Sequence, residues 1–277
     1  MAITRIFIDS RVNDKELLIS QFAPGTDYQV LDANRDGIEQ MVTALSGRSG
    51  YDSIQIISHG ASGSITIGAT VLNSSNLDFY AAELALLGNA LNKNGDLLLY
   101  GCSVAAGDQG KHFIETLSHI TGADVAASDD PTGSTLAGGD WSLEAHSGAI
   151  EAENPFGTQN VLSWQGTLAW YDNISNLSLK NLVIQDLSDN LFSFEEVLTL
   201  LSAAAQGGVT STEFNDLKLF YQNSTTLFSS DYLRYISDAV INGNPANQTW
   251  WGAHQVVPRR SLSETCLRVR QSLLPRN

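Results

Sequence analysis

Leu97-Leu98-Leu99-Tyr100-Gly101-Cys102 is the stretch that decides the fold. A short unbroken apolar run bounded by turn residues reads as a strand buried on both faces, as in a parallel sheet with helices on either side. Asn94-Gly95-Asp96 supplies a turn before it, and Gly107 and Gly110 are expected to break the chain after it. Lys111–Ile120 then reads as helix. Cys102 therefore stands where a strand ends and the chain turns towards a helix. In open α/β sheets that carboxyl edge is where ligands bind. A second stretch repeats the design: Ser53-Ile54-Gln55-Ile56-Ile57-Ser58 runs into His59-Gly60. If the two strands are parallel neighbours, His59 and Cys102 emerge on one edge. Imidazole is the kind of base a thiol needs to become a nucleophile near neutral pH.

Working outward, strand and helix alternate through the first 168 residues. Ile3–Asp9, Tyr28–Leu31 and Asp124–Ala127 read as further strands. Lys15–Phe22, Asp36–Leu45 and Asn76–Leu91 read as helices, and Ser64–Ile67 with Thr70–Leu72 as a hairpin around Gly68-Ala69. Trp141–Glu144 and Ala149–Glu151 suggest a small antiparallel addition. This order predicts a mostly parallel α/β sheet with helices on both faces. Beyond it, Phe194–Ala205, Ser211–Asn223 and Ser229–Ile241 read as three amphipathic helices with Ser193, Thr210 and Ser230 as caps, a small all-α region. The expected division is 1–168, 169–254 and 255–277.

The chain of 277 residues carries a net charge of −15, with 43% apolar and 16% charged residues. That composition is globular, and its sign disfavours nucleic acid and anionic lipid as partners. Residues 255–277 reverse the sign, carrying five arginines and one glutamate. They read as a disordered basic tail or a frame-shifted end, so no function is assigned to them. Two cysteines, Cys102 and Cys266, make no disulfide framework and no zinc site, and no metal or cofactor is expected. No apolar run approaches a membrane span, and the first residues lack the long apolar core of a secretory signal. Asp32-x-Asn34-x-Asp36-Gly37 imitates a calcium loop, but Thr43 holds the twelfth position, so helix capping is the expected role. His112, His119, His146 and His254 have no partner spacing.

Several motifs together carry a family resemblance. They are Phe7-Ile8-Asp9-Ser10, Leu31-Asp32 with Arg35-Asp36-Gly37, Ile57-Ser58-His59-Gly60 and Leu99-Tyr100-Gly101-Cys102. Further on come Thr121-Gly122-Ala123-Asp124-Val125-Ala126-Ala127-Ser128 and Gly138-Gly139-Asp140-Trp141. Residues from about Ile6 to Trp164 resemble the caspase-like (clan CD) cysteine peptidases, in the form of an uncharacterised bacterial domain found at the front of large secreted or surface repeat proteins. The resemblance implies a caspase-like fold and an extracellular or cell-surface location. It implies Cys102 as nucleophile, His59 as general base and the backbone N–H groups of Gly60 and Cys102 as oxyanion donors. It also implies a substrate pocket near Asp9 and Ser128-Asp129-Asp130, whose acidity suggests a peptide or protein cut after Arg or Lys. Read alone, Asp129-Asp130-Pro131 is a turn and Asp9 an end-of-strand cap. Three classes stay open: a peptidase that processes itself or a partner, a catalytically silent module that binds a peptide or surface ligand in the same cleft, and a structural front domain of an adhesin. The oligomeric state is not legible.

Overall fold

The structure is a computed structural model that describes residues 3–23, 25–156, 163–187 and 191–243. Cys266, Arg259-Arg260, Trp250-Trp251 and the basic tail lie outside them. The chain divides into two compact units, Met1–Trp170 and Tyr171–Asn277.

The first unit is built on a six-stranded sheet. Its strands are β1 (Thr4–Asp9), β2 (Asp27–Leu31), β3 (Tyr51–Ile57), β7 (Leu91–Tyr100), β8 (Asp124–Ala127) and β9 (Ala145–His146). They lie in the order β2-β1-β3-β7-β8-β9, and every pairing is parallel except β8 with β9. The apolar runs explain the parallel core. Ile54, Ile56, Leu97, Leu99, Val125 and Ala127 point to one face, where α2 (Gly37–Leu45), α3 (Ala81–Ala90) and α4 (Gly107–Thr121) bury Ile38, Met41, Leu84, Leu87, Phe113 and Leu117. The opposite residues, Leu98 and Tyr100 among them, are as deeply buried. There Tyr100 meets Trp141, and Trp141 meets both Phe156 and Trp164. The short α1 (Lys15–Ile19) buries Leu18, and the turn after it sets Phe22 against Phe156. Three further strands, β4 (Gly60–Ala61), β5 (Ser64–Ile67) and β6 (Thr70–Asn73), form a small antiparallel sheet after β3.

Three local expectations are corrected. Asn94-Gly95-Asp96 is not a turn before the strand but part of β7. The register jumps from Tyr51↔Leu91 to Ser53↔Asp96, so residues 92–95 bulge while the strand continues. Asp96 then accepts hydrogen bonds from the N–H groups of Glu151 and Ala152, which hold it in the sheet. Gly107 and Gly110 lie inside α4; Gly110 packs so closely on Ala105 that a Cβ would come within 2.2 Å of its carbonyl carbon. Neither Trp141–Glu144 nor Ala149–Glu151 forms a strand: the antiparallel addition is β9, the two residues between them, while Trp141 joins a ring cluster and its carbonyl accepts from Asn154.

The second unit contains α5 (Leu177–Asp186), α6 (Phe194–Ala204), α7 (Ser211–Asn223) and α8 (Asp231–Ile241). Ser193, Thr210 and Ser230 cap α6, α7 and α8, with reciprocal capping boxes through Glu196 and Glu213. Phe192, Phe220 and Phe228 stack at its centre. α6 and α8 leave a small apolar groove lined by Phe194, Val197, Leu201, Leu233 and Val240. No helix of the described residues is long and apolar enough to cross a membrane.

Candidate functional site

The strand order reverses between β1 and β3: β2 lies on one side of β1, and β3, β7 and β8 follow on the other. The crevice at such a switch, beyond the carboxyl ends, is the ligand position of open α/β sheets. The chain leaving β1 there is Ser10-Arg11, and the chain leaving β3 is Ser58-His59-Gly60. β7 is the next strand, and Gly101-Cys102 leave its end. β3 and β7 are in register through Ile57↔Tyr100, and Ser58 N–H donates to the Tyr100 carbonyl at 2.9 Å. His59 and Cys102 each stand two residues beyond that pair. Gly60 is required here by close approach, since a Cβ on it would lie 2.5 Å from Val104 Cγ2 and 3.0 Å from the Cys102 carbonyl oxygen. The structure thus brings His59, Gly60 and Cys102 together at one edge of the sheet.

His59 is buried, with only 2% of its surface exposed. Its Nε2 lies 3.2 Å from the Arg11 carbonyl oxygen. A carbonyl only accepts, so Nε2 carries the proton in the neutral ring and Nδ1 is the unprotonated nitrogen. Nδ1 is buried without a hydrogen-bond partner. Burial pushes the His59 pKa below the ordinary imidazole value, while the Arg11 carbonyl, the Asp9 charge and the Leu168 carbonyl oppose that shift more weakly. The ring is therefore neutral near pH 7, with a proton acceptor in reserve.

Cys102 is buried at 6% exposure. Its sulfur accepts from the Thr132 N–H at 3.2 Å and donates to the Thr132 carbonyl at 3.5 Å. The next residue, Ser103, takes a left-handed φ of 58°, which is strained for a side chain with a Cβ. Its N–H donates to the Asp130 carbonyl at 2.7 Å, and Ala105 N–H to the Ser128 carbonyl at 2.9 Å. These bonds tie the turn after Cys102 to the turn after β8.

Ser128, Asp129 and Asp130 form that second turn, at the same edge. Ser128 is fully buried and its hydroxyl donates to Asp130. Asp129 and Asp130 are exposed. The oxygens of Asp130, Asp140 and Glu144 lie within 4.8 Å of one another, which is the geometry among the described residues that could hold a cation. Partial burial, then the Glu144 and Asp140 charges, push the Asp130 pKa up. Asp9 reaches the edge as well, but with no exposed surface. Its carboxylate accepts from Arg11 N–H at 2.9 Å, Arg11 Nε at 3.0 Å and Nη2 at 3.1 Å, and Gly68 N–H at 2.7 Å. It is already paired. Asp36, the would-be calcium ligand, caps α2 through Glu39 N–H and accepts from the Thr70 and Tyr80 hydroxyls.

Sequence reasoning missed three participants: Arg11, Thr132 and the segment Gly166–Ala169. All act at this edge through backbone groups, which a side-chain pattern does not announce. The Gly60 N–H donates to the Leu168 carbonyl at 3.2 Å, Leu168 N–H to the Thr132 carbonyl at 2.9 Å and Ser134 N–H to the Gly166 carbonyl at 2.9 Å.

No curated protein matches the chain. A family described as a domain of unknown function, DUF4347, matches residues 6–168, more than half of the chain and all of the sheet just described except the first two residues of β1. The chain therefore belongs to the DUF4347 family.

Proposed function

We propose that the α/β unit is a caspase-like cysteine peptidase, with Cys102 as nucleophile and His59 as its base. The observation that carries this reading is the register of β3 and β7, which delivers an imidazole and a thiol to adjacent positions of one sheet edge. In the proposed reaction His59 Nδ1 takes the Cys102 proton and the thiolate adds to a peptide carbonyl carbon. The N–H groups of Gly60 and Cys102 receive the oxyanion. The imidazolium returns its proton to the departing amine as the C–N bond breaks, leaving a thioester. Water attacks the thioester, giving its proton to His59, and the acid product leaves with the thiol restored. The Arg11 carbonyl keeps the ring in the tautomer this sequence needs.

Because Asp9 is paired with Arg11, the acidic pocket of this reading falls on Asp129 and Asp130, and it selects Arg or Lys before the cut bond. The test is labelling with a peptide acyloxymethyl ketone. Wild type incorporates it at Cys102, Cys102→Ala not at all, and His59→Ala at least ~100-fold more slowly, the usual worth of a general base. Equal labelling of wild type and His59→Ala removes the dyad. A peptide library cut only after acidic residues removes the basic preference. The reading extends to export or surface display, which fractionation of the native host tests. One observation favours a second reading, a silent peptide-binding module: Gly60 N–H and Thr132 C=O already hold an extended segment. That reading predicts peptide binding that survives Cys102→Ala.

A further inference from the structure

We infer that Gly166–Ala169 is a built-in occupant of the cleft, a strap whose transient lifting limits access to the site; the inference rests on the peptidase reading above. The strap is extended and bonded as a bound peptide would be. Gly133 pairs with Thr167 in antiparallel fashion, and Gly60 pairs with Ala169 in parallel fashion. Between those bridges Leu168 N–H donates to the Thr132 carbonyl, and the Leu168 carbonyl accepts from Gly60 N–H. Gly60 follows β3 and Thr132 follows β8, while Cys102 ends the strand between them. The strap therefore spans the end of the strand that carries the thiol. It also consumes one of the two proposed oxyanion donors with a carbonyl oxygen, the group that donor exists to receive. Thr132, which holds the strap by its carbonyl, engages the Cys102 sulfur with both backbone groups. His59 Nδ1 and Thr132 Oγ1 are left buried and unpartnered on the same edge. The strap also touches the base, since the Leu168 carbonyl opposes the downward shift of the His59 pKa.

The fit is built on both sides. A Cβ on Gly133 would fall 2.6 Å from the Gly166 carbonyl oxygen and 2.8 Å from Thr167 Cα, so the turn after β8 is shaped to the strap. Trp164, buried and donating from Nε1 to the Asn13 carbonyl at 2.7 Å, anchors its leading end. Its trailing end runs through Trp170 directly into the second unit.

The test is alkylation of Cys102 in the full chain by iodoacetamide, mapped by peptide mass spectrometry so that Cys266 is read separately. Wild type in low urea distinguishes local from global opening. A strap that lifts by itself gives a labelling rate with a shallow urea dependence, whereas exposure only by unfolding gives the slope of the unfolding transition. Leu168→Pro removes the N–H that bonds Thr132, and Gly133→Ala pushes on Gly166. Each is expected to speed Cys102 alkylation about tenfold or more, the equilibrium worth of a lost hydrogen bond or two. A wild-type slope equal to the global one overturns the strap, and so does unchanged alkylation in a variant that is still folded. The wild-type slope decides the matter even where a variant does not fold. Faster iodoacetamide alkylation combined with no peptide-ketone labelling supports the cover and sinks the peptidase reading alone.

Discussion

Asp9→Ala tests whether the cleft is held by the knot at the end of β1. The carboxylate accepts four hydrogen bonds, three from Arg11 and one from Gly68 N–H, and the Arg11 guanidinium also donates to the Gly68 carbonyl. Truncation leaves a buried Gly68 N–H unpaired and the guanidinium without its counter-charge. Breaking one side of a buried pair costs about 3–5 kcal/mol. The Arg11 side chain keeps 27% exposure and can turn partly to water, which favours the lower end. The expected loss is about 3 kcal/mol, and with a urea slope of ~2 kcal/mol/M the midpoint falls by about 1.5 M.

The assay is urea unfolding followed by tryptophan fluorescence, in which Trp141, Trp164 and Trp170 report on the α/β unit. Adding Arg11→Met removes the stranded cation, so the double variant recovers about 1 kcal/mol or more of the loss. A midpoint for Asp9→Ala within about 0.3 M of wild type would refute the reasoning, because four bonds to a sealed carboxylate cannot then be holding this edge. A second readout follows from the Arg11 carbonyl, which bonds His59 Nε2. A loosened Arg11 also slows peptide-ketone labelling of Cys102.

Burial keeps the folded pKa of His59 below its unfolded value of about 6.5, so the unfolded chain takes the proton first. His59 therefore contributes its full stability above about pH 7.5 and loses it as pH falls through 6.5 towards the folded value; His59→Gln flattens that part of the profile, and identical urea midpoints against pH in both proteins would contradict this. Gly60→Ala places a Cβ 2.5 Å from Val104 Cγ2 and costs about 1–3 kcal/mol by overpacking. Val104→Ala in the same chain makes room, so the pair is less destabilised than the sum of its members, which a double-mutant cycle measures. Ser103→Gly relieves the positive φ and raises the midpoint by a few tenths of a molar, about 0.5–1 kcal/mol, where an ordinary surface serine changed to glycine lowers it. Thr210→Ala opens the capping box of α7 and costs the helical unit about 1 kcal/mol, read by circular dichroism.

The sheet was legible because its strands are apolar runs that stop at turn residues. Ile54–Ile57 and Leu97–Tyr100 have no other way to bury both faces. The capped helices were legible because Ser193 and Thr210 carry their glutamate three residues on. Asp96 misled because a charged residue after Asn-Gly reads as a turn; in the fold it is sealed at 1% exposure by two backbone donors from a segment more than fifty residues away. α5 was hidden in an Asn-rich stretch whose composition favours loops. Asn176 caps it, Leu179 and Val183 are buried along it, and tertiary burial outweighs the weak local propensity. At the site the side chains were legible and their partners were not. His59, Cys102, Asp129 and Asp130 stand out by type and position. The Arg11 carbonyl, both backbone groups of Thr132 and the Leu168 peptide are chemically identical to every other peptide group, so only the topology that brings them to one edge distinguishes them.

The energetics of that edge argue that it is kept for binding. A buried imidazole nitrogen and a buried threonine hydroxyl lack partners there, and Ser103 sits in the left-handed region. Each such feature costs on the order of 1–3 kcal/mol. Leucine at position 59 and glycine at position 103 would together remove two of them. Strain of this kind persists where the surrounding structure over-determines it, and here Arg11, Asp130 and Leu168 do so through backbone bonds from three different segments. Two of these segments are the turns after β1 and β8 and the third is the strap itself, and they meet around the ends of β3 and β7. Three such groups gather at the ends of β3, β7 and β8, on the edge where a segment is bonded like a peptide ligand. An edge shaped only for stability would have no reason to keep an unprotonated nitrogen, a thiol and an extended chain in one place.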